Sequence, residues 1–528
     1  MKKMKNILKN RFKIIGVFVL FLFPLVSCDK EILDLENPEQ FTLATYFKTP
    51  DQIVQGTNAA YGAFFQFWVG SYQWPEIWDV LGNETHATAG ALGSYHEVSV
   101  IQMMGYQHNE TNRSVENLWR MWYVMILRSN LVIDRADIYL EENPSNDLVI
   151  RSRGEAYFLR GWAYFNLANY WGKVPIRTSF DQSENINAPL ASSADEVWAV
   201  AESDLKIAQS VLKDVGTYGD SDIGRATKGA ATGFLGKLYL TTERYQEAET
   251  ELAKLEGHYD LLSAEDYLWN FGETNENNIE SVFEFQSAYQ EGDATTTMFT
   301  NVEGGPTPAM NNMQPQLHSW NGWPNWKFPP TREQAFLYQD ESGTDFIDPR
   351  GAETFYGGVA GDDTWCDMCA EDPNRVYDFA GLGYYYKKKG NKEVKPSESG
   401  TAAGAAVSGN NIRQMRYADV LLMRGEIALM LGNPSGCIDF INIVRRRFGI
   451  FEYTAANYSD SEVFDLLKRE REVEFMGEGS RFNDLKRWGI LEETLNPEFQ
   501  EIYGTQPVRA SHYFFEIPQN ERDTNFGL

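Results

Sequence analysis

The stretch GFLGKLYLTTERYQEAETELAKL, residues 233–255, decides the fold class. Its small and aromatic residues, among them Gly236, Tyr239, Tyr245 and Ala248, follow the spacing of a tetratricopeptide helix pair of about 34 residues. Two helices interlock closely only where small residues lie at their point of approach, and Gly236 and Ala248 meet that need. The stretch therefore predicts a helical hairpin.

A second segment repeats this layout. VLLMRGEIALMLGNPSGCIDFINIVRRR, residues 420–447, carries Gly425 in its first half and Cys437 in its second, on either side of a Gly-Asn-Pro turn. Cys437 occupies the place that Ala248 has in the first hairpin. We therefore expect its thiol to pack inside the fold.

Helical periodicity extends well beyond these hairpins, over about residues 49–256 and 411–491. In the first range, RGEAYFLRGWAYFNLANYWGKVP (residues 153–175) has apolar residues at helical spacing and stops before a proline. Its Trp162 and Trp171 are predicted to be packing residues.

The chain divides by this pattern into a scaffold and a variable part. We expect residues 28–270 and 411–491 to form a mainly helical scaffold, residues 271–410 a loop-rich variable region with short strands, and residues 492–528 a C-terminal extension. Long irregular segments on a rigid scaffold are where binding usually resides. The variable region is therefore the first place to look for a ligand site.

Composition excludes several classes of protein. With 43% hydrophobic and 14% aromatic residues the chain is not disordered, and a net charge of −28 spread along it argues against binding of nucleic-acid phosphates. The sequence lacks GxSxG, HExxH and a phosphate-binding glycine loop. Two carboxylates at the separation of a glycosidase site remain possible among 75 acidic residues, so a glycan-degrading enzyme stays an alternative.

The N-terminus has the features of an export signal. Basic residues precede an apolar run at residues 14–26, which is too short for easy spanning of a membrane. The sequence Leu25-Val26-Ser27-Cys28 is similar to the lipobox of bacterial lipoproteins, in which the cysteine is acylated after cleavage. We expect residues 1–27 to be removed and Cys28 to carry the lipid. The alternative is an ordinary secretory signal with an incidental cysteine.

Cofactors are not expected. Cys366 and Cys369 form a single CxxC with no histidine nearby, which is a weak zinc signal, and a local disulfide or two buried thiols are the better interpretations. The acidic residues around them lack the spacing of an EF-hand, so a solvated loop is expected and bound calcium is the alternative. These residues are Asp362, Asp363, Asp367, Glu371 and Asp372.

Eight segments of the chain, in order, resemble the SusD-like (RagB/SusD) family of outer-membrane glycan-binding lipoproteins. They are CDKEILDLE, GEAYFLRGWAYFNLANYWGKVP, GRATKGAATGFLGKLYL, IDPR, RQMRYADVLLMRGEIAL, FINIVRRRFG, REREVEFMGEGSRFNDLKRWG and FFEIPQNERDTN. The resemblance covers nearly the whole chain after Cys28.

The resemblance implies a mostly α-helical fold with four tetratricopeptide-like helix pairs packed against an irregular region with short strands. It implies a protein tethered by lipid to the outer membrane, facing outward with Lys30 and Glu31 as its surface-export signal. Such a protein partners a SusC-like TonB-dependent transporter and captures oligosaccharides, or less often peptides, without catalysis of its own.

In this family the loop after the first helix and the variable region both contribute to the ligand face. Two segments rich in tryptophan fall there, FWVGSYQWPEIWDVLGNETHATAG (residues 67–90) and HSWNGWPNWKFPP (residues 318–330). A sugar ring needs flat aromatic surfaces with polar groups beside them. The predicted ligand-binding residues are Tyr72, Trp74, Trp78, Asn83, Trp320, Trp323 and Trp326.

Each tryptophan has a packing alternative. Trp78 is as compatible with the core as with a ligand face, since tryptophan is usually well buried. Thr331 to Gln334 has the capping-box pattern of a helix start, for which Trp326 and Phe328 would be the hydrophobic anchor. Trp320 and Trp323, further upstream, are freer to face a ligand.

Overall fold

The computed structural model of the chain describes residues 46–68, 74–87, 98–287, 314, 326–356, 385–389 and 409–528. The chain divides into two compact units, Met1–Gln52 and Ile53–Leu528. The predicted elements in the described part of the second unit can be compared with the structure one by one.

Helices make up most of the described chain, as predicted. In chain order they are α1 (Pro50–Tyr61), α2 (Trp74–Leu81), α3 (Val98–Met104), α4 (Arg113–Glu142), α5 (Asp147–Trp171), α6 (Gln182–Asn185), α7 (Ala194–Val211), α8 (Lys228–Thr241), α9 (Tyr245–Leu252), α10 (Arg350–Thr354), α11 (Tyr417–Met430), α12 (Pro434–Arg446), α13 (Asp460–Phe475), α14 (Arg481–Arg487), α15 (Leu491–Tyr503) and α16 (Gln519–Thr524). Turns of 3₁₀ helix occupy Gly62–Trp68, Asp220–Asp222, Ala253–Leu255, Tyr267–Phe271, Glu273–Asn275, Pro330–Phe336, Ala455–Asn457 and Ala510–Tyr513. None of the described helices combines the length and the apolar character needed to cross a bilayer.

The long helices α4 and α5 form the first hairpin, and both begin at asparagine caps. The side chains of Asn112 and Asn146 accept hydrogen bonds from backbone N–H groups in the first turn, which a helix otherwise leaves without partners. α5 packs between α4 and α7 and is buried on nearly every face. Trp162 and Trp171 lie in this core, so their predicted packing role is confirmed.

The two hairpins predicted from the repeats are α8–α9 and α11–α12. A Cβ atom on Gly236 would lie 2.4 Å from Cδ2 of Leu252 in α9, so only glycine permits this close approach without displacing the leucine. Ala248 and Cys437 are both fully buried. This burial confirms Cys437 as a packing group, and it raises the pKa of the thiol to about 12.

Short antiparallel strands join segments that are far apart in the sequence. In the described chain they are β1 (His86–Ala87), β2 (Ser281–Phe285), β3 (Trp326–Lys327), β4 (Leu337–Gln339), β5 (Asp345–Ile347), β6 (Phe355–Tyr356), β7 (Tyr385–Tyr386) and β8 (Ile412–Arg416). They pair as β1–β3, β2–β8, β4–β5 and β6–β7. The β2–β8 pair ties the two ends of the variable region together beside α11.

Buried ion pairs hold the variable region to α13. The guanidinium of Arg350 lies 2.8 Å from Asp348, 2.6 Å from Glu470 and 3.2 Å from Glu474, and all four side chains are buried. Arg447 approaches Glu474 at 2.5 Å from the other side. These cations hold the pKa of Glu474 below its ordinary value against the opposing effect of burial.

Candidate functional site

The two predicted ligand-face segments meet in the structure. Ala87 pairs with Trp326, and His86 pairs with Lys327, in the β1–β3 sheet. The hydroxyl of Thr85 also donates to the carbonyl of Lys327 at 3.0 Å. The predicted contact between the loop after α2 and the variable region is therefore present in the described residues.

Three predicted ligand residues are buried instead of exposed. Trp78 is 2% exposed and stacks on Tyr170 with ring centroids 4.0 Å apart, while Trp326 is 1% exposed inside the main core. Asn83 is 1% exposed, and its amide donates to Glu498 at 2.9 Å. Burial favours the packing alternative for Trp78 and Trp326, and ligand contact by these three side chains stays a prediction.

Trp74 is also largely buried. It packs edge-to-face against Trp78 and Trp122, with centroids 5.4 Å apart in each case, and is 9% exposed. Trp74 and Trp78 nevertheless both line a cavity that a ligand can enter.

Other predicted positions lie outside the described residues. Tyr72, Trp320 and Trp323 remain predictions as ligand contacts. The same holds for Cys28 as the lipid site and for a disulfide between Cys366 and Cys369. Within the described part of the chain, no group of three or more His, Cys, Asp or Glu side chains is arranged to hold a metal ion.

The predicted capping box at Thr331 does not form. Residues Pro330–Phe336 make a 3₁₀ helix that begins after Pro329, so Thr331 lies inside the helix and its hydroxyl has no partner. Phe328 packs with Phe336 in a small second hydrophobic cluster. The hydrophobic anchor was therefore predicted correctly for Phe328, whereas the cap was not.

A cavity of about 310 Å³ lies where α2, α5, α7, α8 and α14 converge. We call it the Trp198 cavity and define it by six of its lining residues, Trp74, Trp78, Trp198, Arg471, Lys486 and Phe514. Its size is at the lower end of the range typical of small-molecule sites, roughly 300–1,000 Å³. A ligand could place one or two rings in it.

Two aromatic side chains of the cavity are accessible. Trp198 on α7 is half-buried, and its ring meets Phe165 edge-to-face at 5.5 Å. Phe514 is 49% exposed, and its ring approaches the end of α5. Gly172 ends α5 with a φ of 71°, a left-handed conformation that favours glycine, and its Cα lies beside the ring of Phe514.

The backbone that follows Phe514 is held to α5. The N–H of Phe515 donates to the carbonyl of Tyr170 at 2.7 Å. The indole N–H of Trp171 donates to the carbonyl of Glu516 at 3.1 Å. These bonds place Phe514 on a rigid element, which reduces the entropy lost when a ligand stacks on it.

Lys486 is the unusual charge of the cavity. Its ammonium donates to the carbonyl of Asn169 and lies 4.3 Å from the ring centroid of Phe514. Burial lowers its pKa from 10.5 to about 7. Among the described residues no carboxylate forms an ion pair with it, whereas the neighbouring cations are paired.

The paired cations share a small number of acids. Arg471 contacts Asp484 at 2.8 Å and Asp419 at 2.9 Å. Arg487 contacts Glu426 at 2.7 Å and Asp484 at 3.0 Å. Asp484 therefore bridges two arginines of the cavity wall.

A smaller cavity of about 90 Å³ shares Trp74 and Glu478 with the Trp198 cavity and extends to Lys388 and Lys389. The ammonium of Lys388 donates to the carbonyl of Glu474 at 2.7 Å and to Glu478 at 2.8 Å. Burial lowers the pKa of Lys388 despite these acids. Three consecutive lysines would ordinarily indicate a solvated surface, yet here they are buried.

Comparison with known proteins identifies the family. Residues 66–240 match the model described as "Starch-binding associating with outer membrane", and residues 367–528 match the model described as "SusD family". The two matches lie in separate parts of the chain and together span both ends of the scaffold. The chain belongs to the SusD-like family.

Similar family members cover nearly the full length. SusD-like protein P25 of Formosa agariphila is 24% identical over 96% of each chain. The crystal structure of a SusD superfamily protein from Bacteroides vulgatus is 26% identical, with a TM-score of 0.73 over 92% of this chain and 100% of the other. Surface glycan-binding protein A from Bacteroides thetaiotaomicron, solved with laminarihexaose, is 21% identical, with a TM-score of 0.71 over 90% and 98%.

For this SusD-like chain, sequence reasoning missed the accessible part of the cavity. Trp198 lies in an ordinary amphipathic helix, Lys486 in the predicted scaffold and Phe514 in the predicted C-terminal extension. The available signal was the double aromatic Phe514-Phe515 in a non-helical segment, where one ring packs inward and the other remains partly exposed.

Proposed function

We propose that this SusD-like protein binds oligosaccharides at the Trp198 cavity and delivers them to a TonB-dependent transporter without cleaving them. The observation that carries the proposal is the pairing of accessible aromatic rings, Trp198 and Phe514, with polar groups of α14. Sugar C–H faces stack on such rings while the hydroxyl rim meets donors and acceptors. The laminarihexaose complex of a relative with the same fold supports a glycan as the ligand class.

The carboxylates of the cavity support binding without catalysis. Glu478 and Asp484 line it among the described residues, and each is held by ion pairs to two cations. Hydrolysis of a glycosidic bond needs one carboxyl group as acid and a second as base or nucleophile. Carboxylates engaged by arginine and lysine are poor candidates for the acid.

Membrane attachment is part of the same proposal. The export signal and the lipobox ending at Cys28 would anchor the protein, and the family description of residues 66–240 refers to association with the outer membrane. Capture at the surface followed by import requires a transporter partner, which we propose to be of the SusC type. Tyr72, Trp320 and Trp323 would extend the ligand face beyond the Trp198 cavity.

A glycan array with the full chain carrying Cys28→Ala, which cannot be acylated, tests the proposal. We expect binding to at least one oligosaccharide or polysaccharide family, and no change in the length of the bound glycan after prolonged incubation. Trp320→Ala and Trp323→Ala are expected to weaken that binding while the fold stays intact. Binding of peptides alone would favour the peptide-capturing alternative, and shortened glycan products would indicate an enzyme.

A further inference from the structure

Building on the proposed glycan binding, we infer that the ligand carries an anionic group, a carboxylate or a sulfate ester, and that Lys486 binds this group inside the Trp198 cavity. The inference identifies a class of glycan rather than a linkage. It rests on the ammonium of Lys486, which no carboxylate of the described chain pairs, and on the aromatic rings beside it.

The acids that line this cavity leave Lys486 without a counter-charge. Asp484 is engaged by Arg471 and Arg487, and Glu478 by Lys388 and Arg416. The indole Nε1 of Trp78 and the Nη1 of Arg471 also lack partners among the described residues, but both atoms are enclosed by the fold, so neither is offered to a ligand. The proposal therefore depends on Lys486 and the rings beside it.

The ammonium of Lys486 is a hydrogen-bond donor of the cavity that carries a positive charge left unpaired within the described part of the chain. Its ammonium contacts one carbonyl, that of Asn169, which leaves two further N–H donors, and no carboxylate of the described chain pairs with it. Burying an ammonium without a counter-charge is unfavourable, and the lowered pKa of the amine reflects that cost. An anionic ligand group would offset the cost, whereas a neutral hydroxyl would accept a hydrogen bond but leave the charge uncompensated.

The surroundings of Lys486 favour an anion attached to a sugar over a free ion. Phe514 covers the ammonium at 4.3 Å and extends to solvent, and Trp198 lines the same cavity. A ring stacked on these aromatics would place a substituent near the amine. The chain as a whole is strongly acidic, so long-range attraction does not explain anion binding and the local donors must provide it.

Uronate carboxylates and sulfate esters share the chemistry that Lys486 recognises. A carboxylate offers two acceptor oxygens in a plane, and a sulfate ester offers three in a pyramid. An array that contains neutral, uronate-containing and sulfated glycans shows whether the anionic group is a carboxylate or a sulfate ester. The strongest ligand found is then compared, by calorimetry, with its carboxyl-reduced or desulfated form.

The variants for this experiment are Lys486→Met and a surface control. Lys213 is exposed and forms no ion pair within the described chain, so Lys213→Met removes a lysine charge from a position outside the cavity. We expect the wild type to bind the anionic form at least about tenfold more tightly than the neutral form, as for a charged hydrogen bond. Lys486→Met should lose this preference and Lys213→Met should keep it. Lys486→Gln replaces the Met variant if the latter does not fold.

Each outcome separates the two proposals. If all bound glycans are neutral, or if Lys486→Met keeps the full preference for the anionic form, the inference about Lys486 is wrong while glycan binding stands. If no glycan binds the wild type, the proposed function itself fails.

Discussion

The ammonium of Lys389 lies against the carboxylate of Asp79, with both side chains buried. Lys389 follows β7 in the variable region, and Asp79 belongs to α2, some 310 residues earlier in the chain. Burial raises the pKa of Asp79, and Lys389 acts in the opposite direction. The pair therefore fastens the variable region to the helix that carries Trp74 and Trp78.

Loss of either partner should be costly. Asp79→Leu alone leaves the ammonium of Lys389 buried without this counter-charge. Lys389→Met alone leaves the carboxylate of Asp79 buried without the ammonium that pairs with it. We expect each to reduce the free energy of unfolding by about 3–5 kcal/mol, measured by urea denaturation. The double variant should recover most of the loss, because no charge is then left behind. Additive losses in the double variant would contradict a direct pairing.

Arg350 should be equally important for stability. It is fully buried among Asp348, Glu470 and Glu474, so Arg350→Met leaves three acids without their shared cation. We expect a loss of about 3–5 kcal/mol in the free energy of unfolding. The control is Arg446→Met, which breaks an exposed ion pair with Glu452 and should change stability little. Equal effects of the two variants would contradict the assigned role.

The helical hairpins could be predicted from the sequence, whereas the buried lysines could not, because the two depend on contacts over different distances along the chain. The α8–α9 and α11–α12 hairpins follow from spacing within a few turns, so Gly236, Ala248 and Cys437 had already indicated them. The burial of the lysines at 387–389 depends on acids such as Asp79 and Glu478 that are distant in sequence. No local sequence pattern predicts such distant partners, and a run of lysines by itself predicts a solvent-exposed segment.

The same limit explains the tryptophans of the candidate site. The sequence left both packing and ligand contact open for Trp78 and Trp326, and in the fold Tyr170 covers the first and the main core encloses the second. Lys486 was assigned to the scaffold and Phe514 to the C-terminal extension, so neither was expected at a ligand site. Their access to a cavity arises from how α5, α14 and the C-terminal segment pack together.

Lys486→Met is expected to stabilise the protein at neutral and lower pH. The pKa of Lys486 in the folded state, about 7, lies below its ordinary value of 10.5, so the folded protein binds fewer protons at this amine than the unfolded chain. The loss of folding stability caused by the buried ammonium is therefore complete below the folded-state pKa. It disappears as the pH rises through the pKa of the unfolded chain. The gain in melting temperature should thus be larger near about pH 6 than near about pH 9.

Other charged groups lie around the amine of Lys486 and bear on the pH dependence of the melting temperature. The other charged groups lining the cavity are Lys237, Arg413, Arg471, Arg487, Glu478 and Asp484, and burial raises the pKa of the adjacent Tyr170 beyond this pH range. Lys213→Met, as the exposed control, should leave the melting temperature nearly unchanged at both pH values. A destabilised Lys486→Met protein at the lower pH would show that the amine has a counter-charge.

Cys28→Ala should release the protein from the membrane. Without an acylated cysteine the mature chain has no lipid, and we expect it in the soluble fraction after cell lysis and centrifugation. Cys366→Ala, which changes a cysteine outside the lipobox, should remain with the membranes. Membrane fractionation of Cys28→Ala identical to that of the wild type would refute lipid anchoring at this residue.

The most direct test of the central claim is the affinity of Phe514→Ala for the glycan selected on the array, measured by calorimetry beside the wild type. The side chain is about half exposed, so the fold should persist, and loss of one aromatic contact costs about 1 kcal/mol, or about fivefold in affinity. Phe526→Ala is the matched control, since Phe526 is 87% exposed and does not line the cavity. The account predicts weaker binding for Phe514→Ala and unchanged binding for Phe526→Ala. Equal affinities for the wild type and Phe514→Ala would contradict glycan binding at the Trp198 cavity.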